Sequence, residues 1–190
     1  MFALIMAGGR ASRLGMGEKA LARVHDKPLI SYVLDAVQGA DLEPVVIVSP
    51  LTPYTLNYCR IHDILWVCTD GNGYVEDIGQ AVRELDITGP FLTICADLPG
   101  ITVDHIKTVL KIYANAECPA CSVWVPCEKP GSGTLPGIPV GMNILTGSMI
   151  EEEQKEIQIM IEDPLLTLNI NTREDLNAAE QVLAKNTTKV

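Results

Sequence analysis

Short apolar runs alternate with segments of helical periodicity along the first two thirds of the chain. Four apolar runs predict buried strands, and they lie at Phe2–Ala7, Val45–Val48, Ile64–Cys68 and Phe91–Ala96. Three further segments have apolar residues at helical intervals, at 29–37, 75–85 and 103–113. Pro28 and Thr102 stand where the first and third helices should begin. This order of elements predicts an α/β fold with a mostly parallel central sheet and helices on both faces.

The alternation changes after residue 121. Three segments follow, a strand, a loop rich in proline and glycine that we expect to act as a lid, and a short strand, at 122–126, 128–139 and 140–145. Residues 151–156 are a charge run typical of a solvated surface. Thr172 and Asp175 resemble a capping box and predict a last helix. Its apolar face contains Leu176, Ala179, Val182 and Leu183.

Length and composition restrict the class of protein. We expect the 190 residues to form one domain, 1–190, because this length is enough for one well-buried core. No apolar run approaches the roughly 20 residues of a membrane span. No basic and apolar export segment precedes the first strand, so we expect a cytoplasmic protein. The net charge of −10 argues against a nucleic-acid partner. The sequence does not determine an oligomeric state.

Cysteine and histidine give weak signals for a site. With no export segment, we expect all six cysteines to be reduced. Cys68 and Cys95 lie in apolar runs and are expected in the core. Three more have the spacing of metal ligands but lack a fourth ligand, so a metal or redox role is disfavoured for Cys118, Cys121 and Cys127. We expect structural or surface roles for His25, His62 and His105.

The first strand ends in Gly8 and Gly9, and three cations follow within ten residues. They are Arg10, Arg13 and Lys19 in an otherwise acidic protein. Exposed amides and fixed positive charge suit a polyphosphate, because one ion pair at about 4 Å contributes about 4 kcal/mol at an effective dielectric near 20. The Walker motif is absent, since Lys19 is followed by Ala20. This segment is also unlike a dinucleotide-binding turn, because the glycines of the segment that fit that pattern come too far after the strand.

Polar residues also follow the later strands. Asp97 comes directly after the apolar run that ends at Ala96, at the edge where a metal-bridged nucleotide needs a carboxylate. We therefore expect Mg2+ to bind Asp97. Asn169 and Asn171 precede the last helix, and alternation directs both side chains the same way. Both amides are therefore expected to face the crevice.

These places together resemble the nucleotidyltransferase family that makes nucleoside-diphosphate sugars. The shared motif is Ile5-Met6-Ala7-Gly8-Gly9, then Arg13, Gly15, Lys19 and Lys27-Pro28-Leu29, with Ala11 where a glycine is usual. The resemblance implies a three-layer Rossmann-like fold of the nucleotide-diphospho-sugar transferase type. It implies that the triphosphate is held by Ala7, Gly8, Gly9, Arg10 and Arg13. It also implies that Lys19 contacts phosphate during transfer and that Asp97 binds Mg2+, so that Arg13, Lys19 and Asp97 are the catalytic candidates.

Three more segments are similar to the archaeal guanylyltransferase family that acts on adenosylcobinamide phosphate. They are Gly73–Asp77, Gly137–Asn143 and Asn169–Leu176. The resemblance implies transfer of GMP from GTP to that acceptor, with release of pyrophosphate. It implies a base-binding segment at Gly73, Tyr74, Glu76 and Asp77, although backbone groups are an alternative means of reading guanine. The substrate pocket candidates are Gly141, Asn143, Asn169 and Asn171.

Two other functions stay open at this point. The same chemistry with another acceptor would make the protein a molybdenum cofactor guanylyltransferase or a cytidylyltransferase for a sugar or polyol phosphate. A nucleotide-binding protein without transfer activity is the second alternative. In the transfer reaction the attacking group is a phosphate monoester with a second pKa near 6, so it is already anionic at neutral pH and needs no general base. Positioning and electrostatics would then supply most of the catalysis.

Overall fold

The computed structural model describes residues 1–9, 17–126 and 137–187, with side chains given through residue 184. The strands of these ranges are β1 Phe2–Met6, β2 Arg23–Val24, β3 Lys27–Pro28, β4 Glu43–Val48, β5 Trp66–Cys68, β6 Pro90–Cys95, β7 Ala120–Pro126, β8 Gly137–Thr146 and β9 Glu156–Met160. The helices are α1 Leu29–Gly39, α2 Pro53–Ile61, α3 Tyr74–Glu84, α4 Val103–Ala114 and α5 Arg173–Thr187. Short 3-10 turns lie at Lys19–Leu21, Gly147–Met149 and Pro164–Thr167.

Seven strands form one sheet in the order β5-β4-β1-β6-β8-β7-β9. The first four are parallel to one another. β8 is antiparallel to both of its neighbours, and β9 pairs in parallel with β7. The hairpin β2-β3 is separate from this sheet. The mostly parallel sheet predicted from the sequence is therefore confirmed, with one antiparallel strand inserted near its middle.

Period-two alternation distributes the strand side chains between two helical layers. Ile5 and Val46 face the layer that contains α1, α2 and α4, which we call the first face. Leu4 and Val45 face α3 on the opposite side, the second face. Each fully buried side chain of this kind contributes about 1.5–3 kcal/mol of transfer free energy. Since β1 and β4 are buried on both faces, their sequences are continuous apolar runs.

Among the described residues, helices cover the half of the sheet beyond β6 on the first face only. On β8, Val140, Met142 and Ile144 are buried in the core of the first face. Asn143, the residue between two of them, is half-exposed on the second face. Leu145 is the last side chain of β8 that packs on the cluster around α3. The second face of β7, β8 and β9 thus keeps side chains within reach of solvent.

Several local predictions need correction. Cys68 is exposed on the edge strand, and Cys95 is only half-buried, so the expectation that both fill the core is wrong. Each of these two cysteines is the last residue of its strand, β5 or β6. β8 begins at Gly137 rather than at residue 140, because Gly137 pairs with Pro126 of β7. Neither α2 nor β9 was predicted, since both have weak apolar patterns. Residues 128–136 of the predicted lid lie outside the described residues.

Helix starts follow the predicted caps. The Thr102 hydroxyl accepts a hydrogen bond from the His105 amide at 3.3 Å, and the His105 ring accepts one from the Thr102 amide. α5 packs its apolar residues Leu176 and Ala179 against Leu29 at the start of α1. Within the described part of the chain, no helix is both long enough and apolar enough to cross a membrane.

Candidate active site

A cleft of about 330 Å³ opens at the carboxyl ends of β1 and β6 and at the first turn of α3. Eight of its lining residues were nominated from the sequence, namely Ala7, Gly8, Gly9, Lys19, Gly73, Tyr74, Asp77 and Asp97. The crevice therefore forms at the edge predicted for a parallel sheet. Arg10 and Arg13 lie outside the described residues.

Lys19 connects three of the predicted site residues. Its ammonium group forms an ion pair with Asp97. The same Nζ donates hydrogen bonds to Oδ1 of Asn169 at 3.2 Å and to Oδ1 of Asn171 at 2.8 Å. Residues 150 positions apart in the chain are thus brought together around one cation. The two asparagines, predicted to line a substrate pocket, hold the lysine that lines the cleft.

Asp97 has one carboxylate oxygen with no hydrogen-bond partner among the described residues. The residue is only 7% exposed, and its Oδ1 is buried without a hydrogen bond, whereas Oδ2 pairs with Lys19. A buried unpaired carboxylate oxygen is costly unless a ligand satisfies it. Mg2+ is commonly held by one or two carboxylates together with waters and substrate phosphates. This oxygen at the cleft fits such an ion, and the described residues contain no cluster of three or more potential metal ligands.

The start of α5 fixes Asn171, whose Nδ2 donates to Oδ1 of Asn169 at 3.4 Å. Asp175 accepts hydrogen bonds from the backbone amides of Asn171 and Thr172, each at 2.8 Å, and the Thr172 hydroxyl accepts one from the Asp175 amide at 3.2 Å. The predicted capping box is confirmed. These amides, with Lys19 nearby, lower the pKa of Asp175 below its usual value, although burial opposes them. The helix cap therefore also positions the residues that hold Lys19.

Glu18 is a positioning residue that the sequence analysis missed. Its carboxylate accepts hydrogen bonds from the backbone amides of Tyr54 at 2.7 Å and Thr55 at 2.6 Å, and from the Thr55 hydroxyl. These are the first residues of α2, where free amides and the helix dipole favour a negative charge. The residue before Lys19 is thereby attached to α2. No local pattern indicated this contact, because α2 itself was not predicted.

Ser49 supports the glycine turn from below. Its hydroxyl donates to the carbonyl oxygen of Gly8 at 2.7 Å and accepts from the Leu51 amide at 3.2 Å. The residue is 2% exposed. A Cβ placed at Gly71 would lie 3.1 Å from the Cβ of Ser49, so the loop after β5 also approaches closely here. One buried serine thus joins three loops of the cleft.

The two acidic candidates in the first turn of α3 differ in burial and in contacts. Asp77 is buried, and its Oδ1 accepts from the amides of Gly71 at 3.0 Å and Asn72 at 3.3 Å. Glu76 is exposed and does not line the cleft; its carboxylate folds back toward Gly73. The contacts of Asp77 shape the turn.

A polar contact links α3 to the middle of the sheet. The Tyr74 hydroxyl lies 3.2 Å from the Thr93 hydroxyl, and Nδ2 of Asn143 donates to the Tyr74 oxygen at 3.3 Å. Burial raises the pKa of Tyr74 to about 12. Burial and the nearby Asp97 carboxylate likewise raise the pKa of the Cys95 thiol to about 12. Both groups are protonated at neutral pH and serve as neutral walls of the cleft.

The remaining candidates lie away from the cleft. Of the substrate-pocket residues, Gly141 adjoins Cys95 and Asn143 contacts Tyr74, but neither lines the cleft itself. Within α4, Nε2 of His105 lies at hydrogen-bond distance, 3.0 Å, from Oδ2 of Asp163, and two other histidines are exposed, His25 and His62. Cys121 is buried within β7 and Cys118 is half-buried, while Cys127 lies outside the described residues.

The cleft brings together a glycine turn, a lysine and a buried carboxylate, the features that the resemblance to nucleotidyltransferases implies. The family model for the MobA-like NTP transferase domain matches residues 3–133. The chain belongs to this family, and its domain and relatives are those of nucleotidyltransferases.

Two relatives and one solved structure extend this assignment. Adenosylcobinamide-phosphate guanylyltransferase from Methanocaldococcus jannaschii is 32% identical over 97% of this chain and 98% of its own length. A Thermococcus kodakarensis protein named "probable molybdenum cofactor guanylyltransferase" is 25% identical over 64% of this chain and 58% of its own. The structure of CMP:2-keto-3-deoxy-manno-octonic acid synthetase complexed with CTP has a TM-score of 0.75 at 13% identity, covering 97% of this chain and 98% of that one. This last likeness confirms the predicted fold type.

Proposed function

We propose that the protein transfers GMP from GTP to adenosylcobinamide phosphate and releases pyrophosphate. The name and full-length similarity of the Methanocaldococcus relative support this acceptor. The structural observation that best supports the proposal is the Lys19–Asp97 ion pair beside the glycine turn. One oxygen of Asp97 has no hydrogen-bond partner among the described residues. The proposal includes a cytoplasmic location, which the free thiols among the described cysteines support.

In the proposed reaction an oxygen of the acceptor phosphate attacks the α-phosphorus of GTP. The bond between that phosphorus and the bridging oxygen to the β-phosphate breaks, and pyrophosphate leaves with the electron pair. The attacking oxygen is already anionic, so the protein needs no general base. Its main task is to reduce repulsion between two anions and to stabilise charge on the leaving group.

The residues of the cleft suit that task. The backbone at Gly8 and Gly9 approaches the ligand closely, and the Lys19 ammonium neutralises negative charge on the departing phosphates. Asn169 and Asn171 keep that ammonium in place. Asp97 would hold Mg2+ through its free oxygen, and the ion would supply charge neutralisation at the reacting phosphates. We assign Arg10 and Arg13 to the triphosphate from the family resemblance.

The test is pyrophosphate release by the purified protein with GTP and Mg2+, with and without adenosylcobinamide phosphate. We expect release only when this acceptor is present, and no comparable release with ATP or CTP. Release with molybdopterin instead would establish the molybdenum cofactor alternative, which the Thermococcus relative raises. Binding of GTP with no release for any acceptor would leave a nucleotide-binding protein.

A further inference from the structure

The second face of the sheet carries an open surface next to the cleft. The name open surface is used here for five residues, Trp124, Gly141, Asn143, Gln158 and Met160. Gln158 and Met160 are exposed, and the other three are half-buried. The neighbouring residues of the same strands point to the first face and are buried there. The alternation is the one expected for a sheet with one covered and one free face.

The open surface is continuous with the nucleotide cleft. The Tyr74 ring lines the cleft, and its hydroxyl receives a hydrogen bond from Asn143 at 3.3 Å. Cys95 also lines the cleft, and a Cβ at Gly141 would lie 2.8 Å from its sulfur. Gly141 has a φ of +78°, which favours glycine. Because Gly141 has no side chain, it does not obstruct the surface between Asp97 and Asn143.

Size requires a second surface for the acceptor. The cleft volume of about 330 Å³ is at the lower end of the range for pockets that hold one small ligand. A nucleoside triphosphate and a corrinoid macrocycle cannot both occupy it. On the opposite side Lys19 is held by Asn169 and Asn171. Among the described residues, the side toward β8 leaves room for the acceptor.

The chemistry of the open surface fits a flat ring system that carries amide groups. The Trp124 indole N–H donates to the Ser122 hydroxyl at 2.8 Å, and that hydroxyl donates to the Glu156 carboxylate at 3.1 Å. These bonds fix the indole, which provides a broad apolar contact. Asn143 and Gln158 supply amide groups that can pair with amides of a ligand.

We propose that the open surface binds the macrocycle of the corrinoid acceptor, with Trp124 as its aromatic contact and the acceptor phosphate directed past Gly141 toward Asp97. This inference rests on the proposed function and adds the place where the acceptor binds. It makes Trp124 a residue that determines acceptor affinity rather than nucleotide affinity.

Fluorescence tests binding directly. In the Trp66→Phe protein the remaining tryptophan is Trp124, and we expect adenosylcobinamide phosphate to quench its emission while GTP alone does not. The Trp124→Phe protein, which keeps Trp66, corrects for absorption by the corrinoid and should show much weaker quenching. Trp66 is a suitable reference because it lies on the far edge strand β5. Equal quenching in both proteins would overturn the proposal.

Kinetics provide the second test. We expect Trp124→Ala to raise KM for the acceptor at least tenfold with KM for GTP changed less than twofold, and Trp124→Phe to restore most of the affinity. Ile112→Ala, at a residue 40% exposed on α4, is the matched truncation on the other face and should change neither constant. An unchanged acceptor KM in a folded Trp124→Ala protein would overturn the open surface alone. Absence of turnover in the unmutated protein would overturn the proposed transfer, and quenching would then still decide whether the surface binds a corrinoid.

Discussion

Lys19 shows how a single residue acquires its role from distant contacts. Its ammonium group is held by a carboxylate from the end of β6 and by two amides that precede α5. These partners leave the side chain 23% exposed, at the cleft where phosphates are expected. The type of residue could be predicted from its place after the glycine turn. Its fixed position could not, because the partners are more than 75 residues away in the chain.

Replacing Lys19 with alanine should lower kcat more than it weakens GTP binding. The loss of a preorganised charge that acts on the leaving group typically reduces kcat by about 10²–10³-fold. Steady-state kinetics with varied GTP measure both constants. Lys107→Ala is the matched control, because Lys107 is 52% exposed and only loosely paired with Asp41 at 3.8 Å. Equal losses in kcat and in GTP affinity would show that Lys19 acts only in binding.

Asp77 gives a second prediction for a single residue. Asp77→Asn keeps an oxygen that can accept from the Gly71 and Asn72 amides, so the preference for GTP over ATP should stay within about twofold. Asp77→Ala leaves both amides without their side-chain acceptor, loosens the turn, and should weaken binding of both nucleotides. Equilibrium titrations with each nucleotide measure this. Loss of discrimination in Asp77→Asn alone would indicate direct contact with guanine.

Contacts between elements hold the cleft residues in register. Glu18 ties the segment before Lys19 to the first turn of α2, and Ser49 ties the turn after β1 to the loop after β4. Asp175 ties Asn171 to α5. Each contact uses free amides or carbonyls at an element boundary, where hydrogen bonding would otherwise be incomplete.

Removal of the Glu18 carboxylate should displace Lys19 without removing any group that contacts the substrates. We expect Glu18→Ala to lower kcat/KM for GTP by about tenfold, a fold-change that corresponds to about 1.4 kcal/mol. Glu18→Gln should keep part of the activity, because its amide oxygen can still accept from one amide of α2. Kinetics of the two variants beside Glu84→Ala, an exposed glutamate of α3, provide the comparison. Full activity in Glu18→Ala would refute the positioning role.

The α5 cap should give a pH-dependent contribution to stability. Amide hydrogen bonds lower the pKa of Asp175 below its usual value of 3.8, so its charged form favours the folded state. The contribution is present above pH 3.8 and is lost as the pH falls through the lower folded pKa. Asp175→Ala should therefore reduce the free energy of unfolding by about 1 kcal/mol at pH 7, and the difference should disappear in acid. Urea denaturation across this range measures it, with Glu174→Ala as the exposed comparison. A difference independent of pH would contradict the assignment.

At the scale of the whole molecule, burial sorts the cysteine thiols. Cys59 and Cys121 are fully buried, and burial raises the pKa of each to about 11. Burial and the nearby Asp97 raise the pKa of the Cys95 thiol to about 12. Cys68, by contrast, is exposed on the edge strand. Only a thiolate reacts readily with alkylating agents, so access and ionisation should act in the same direction.

Alkylation with iodoacetamide at pH 8 should therefore modify Cys68 well before Cys59, Cys95 and Cys121. Peptide mass spectrometry over a time course measures the order, and the same experiment in urea should remove the differences. If Cys95 reacted as fast as Cys68 in the folded protein, the cleft would be more open, or its thiol more acidic, than the structure indicates.

Sequence patterns predicted most of the sheet and helices that surround the cleft. Phe2–Ala7 and Phe91–Ala96 are buried on both faces, and this condition leaves an unmistakable apolar run. The elements with weak patterns, α2 and β9, were missed because each buries few apolar side chains. Cys95 was misassigned for a related reason: a run marks where a strand is buried but not where its last residue emerges into a cleft.

The sequence by itself determined the fold class, the edge of the sheet that carries the site, and the residue types gathered there, because periodicity and strand ends are local properties. Tertiary structure alone decided that Asn169 and Asn171 hold Lys19, that Glu18 is attached to α2, and that no described helix covers the second face beside the cleft. These features depend on which elements become neighbours across the sheet, and a contact between residues 150 positions apart leaves no periodic trace in either segment.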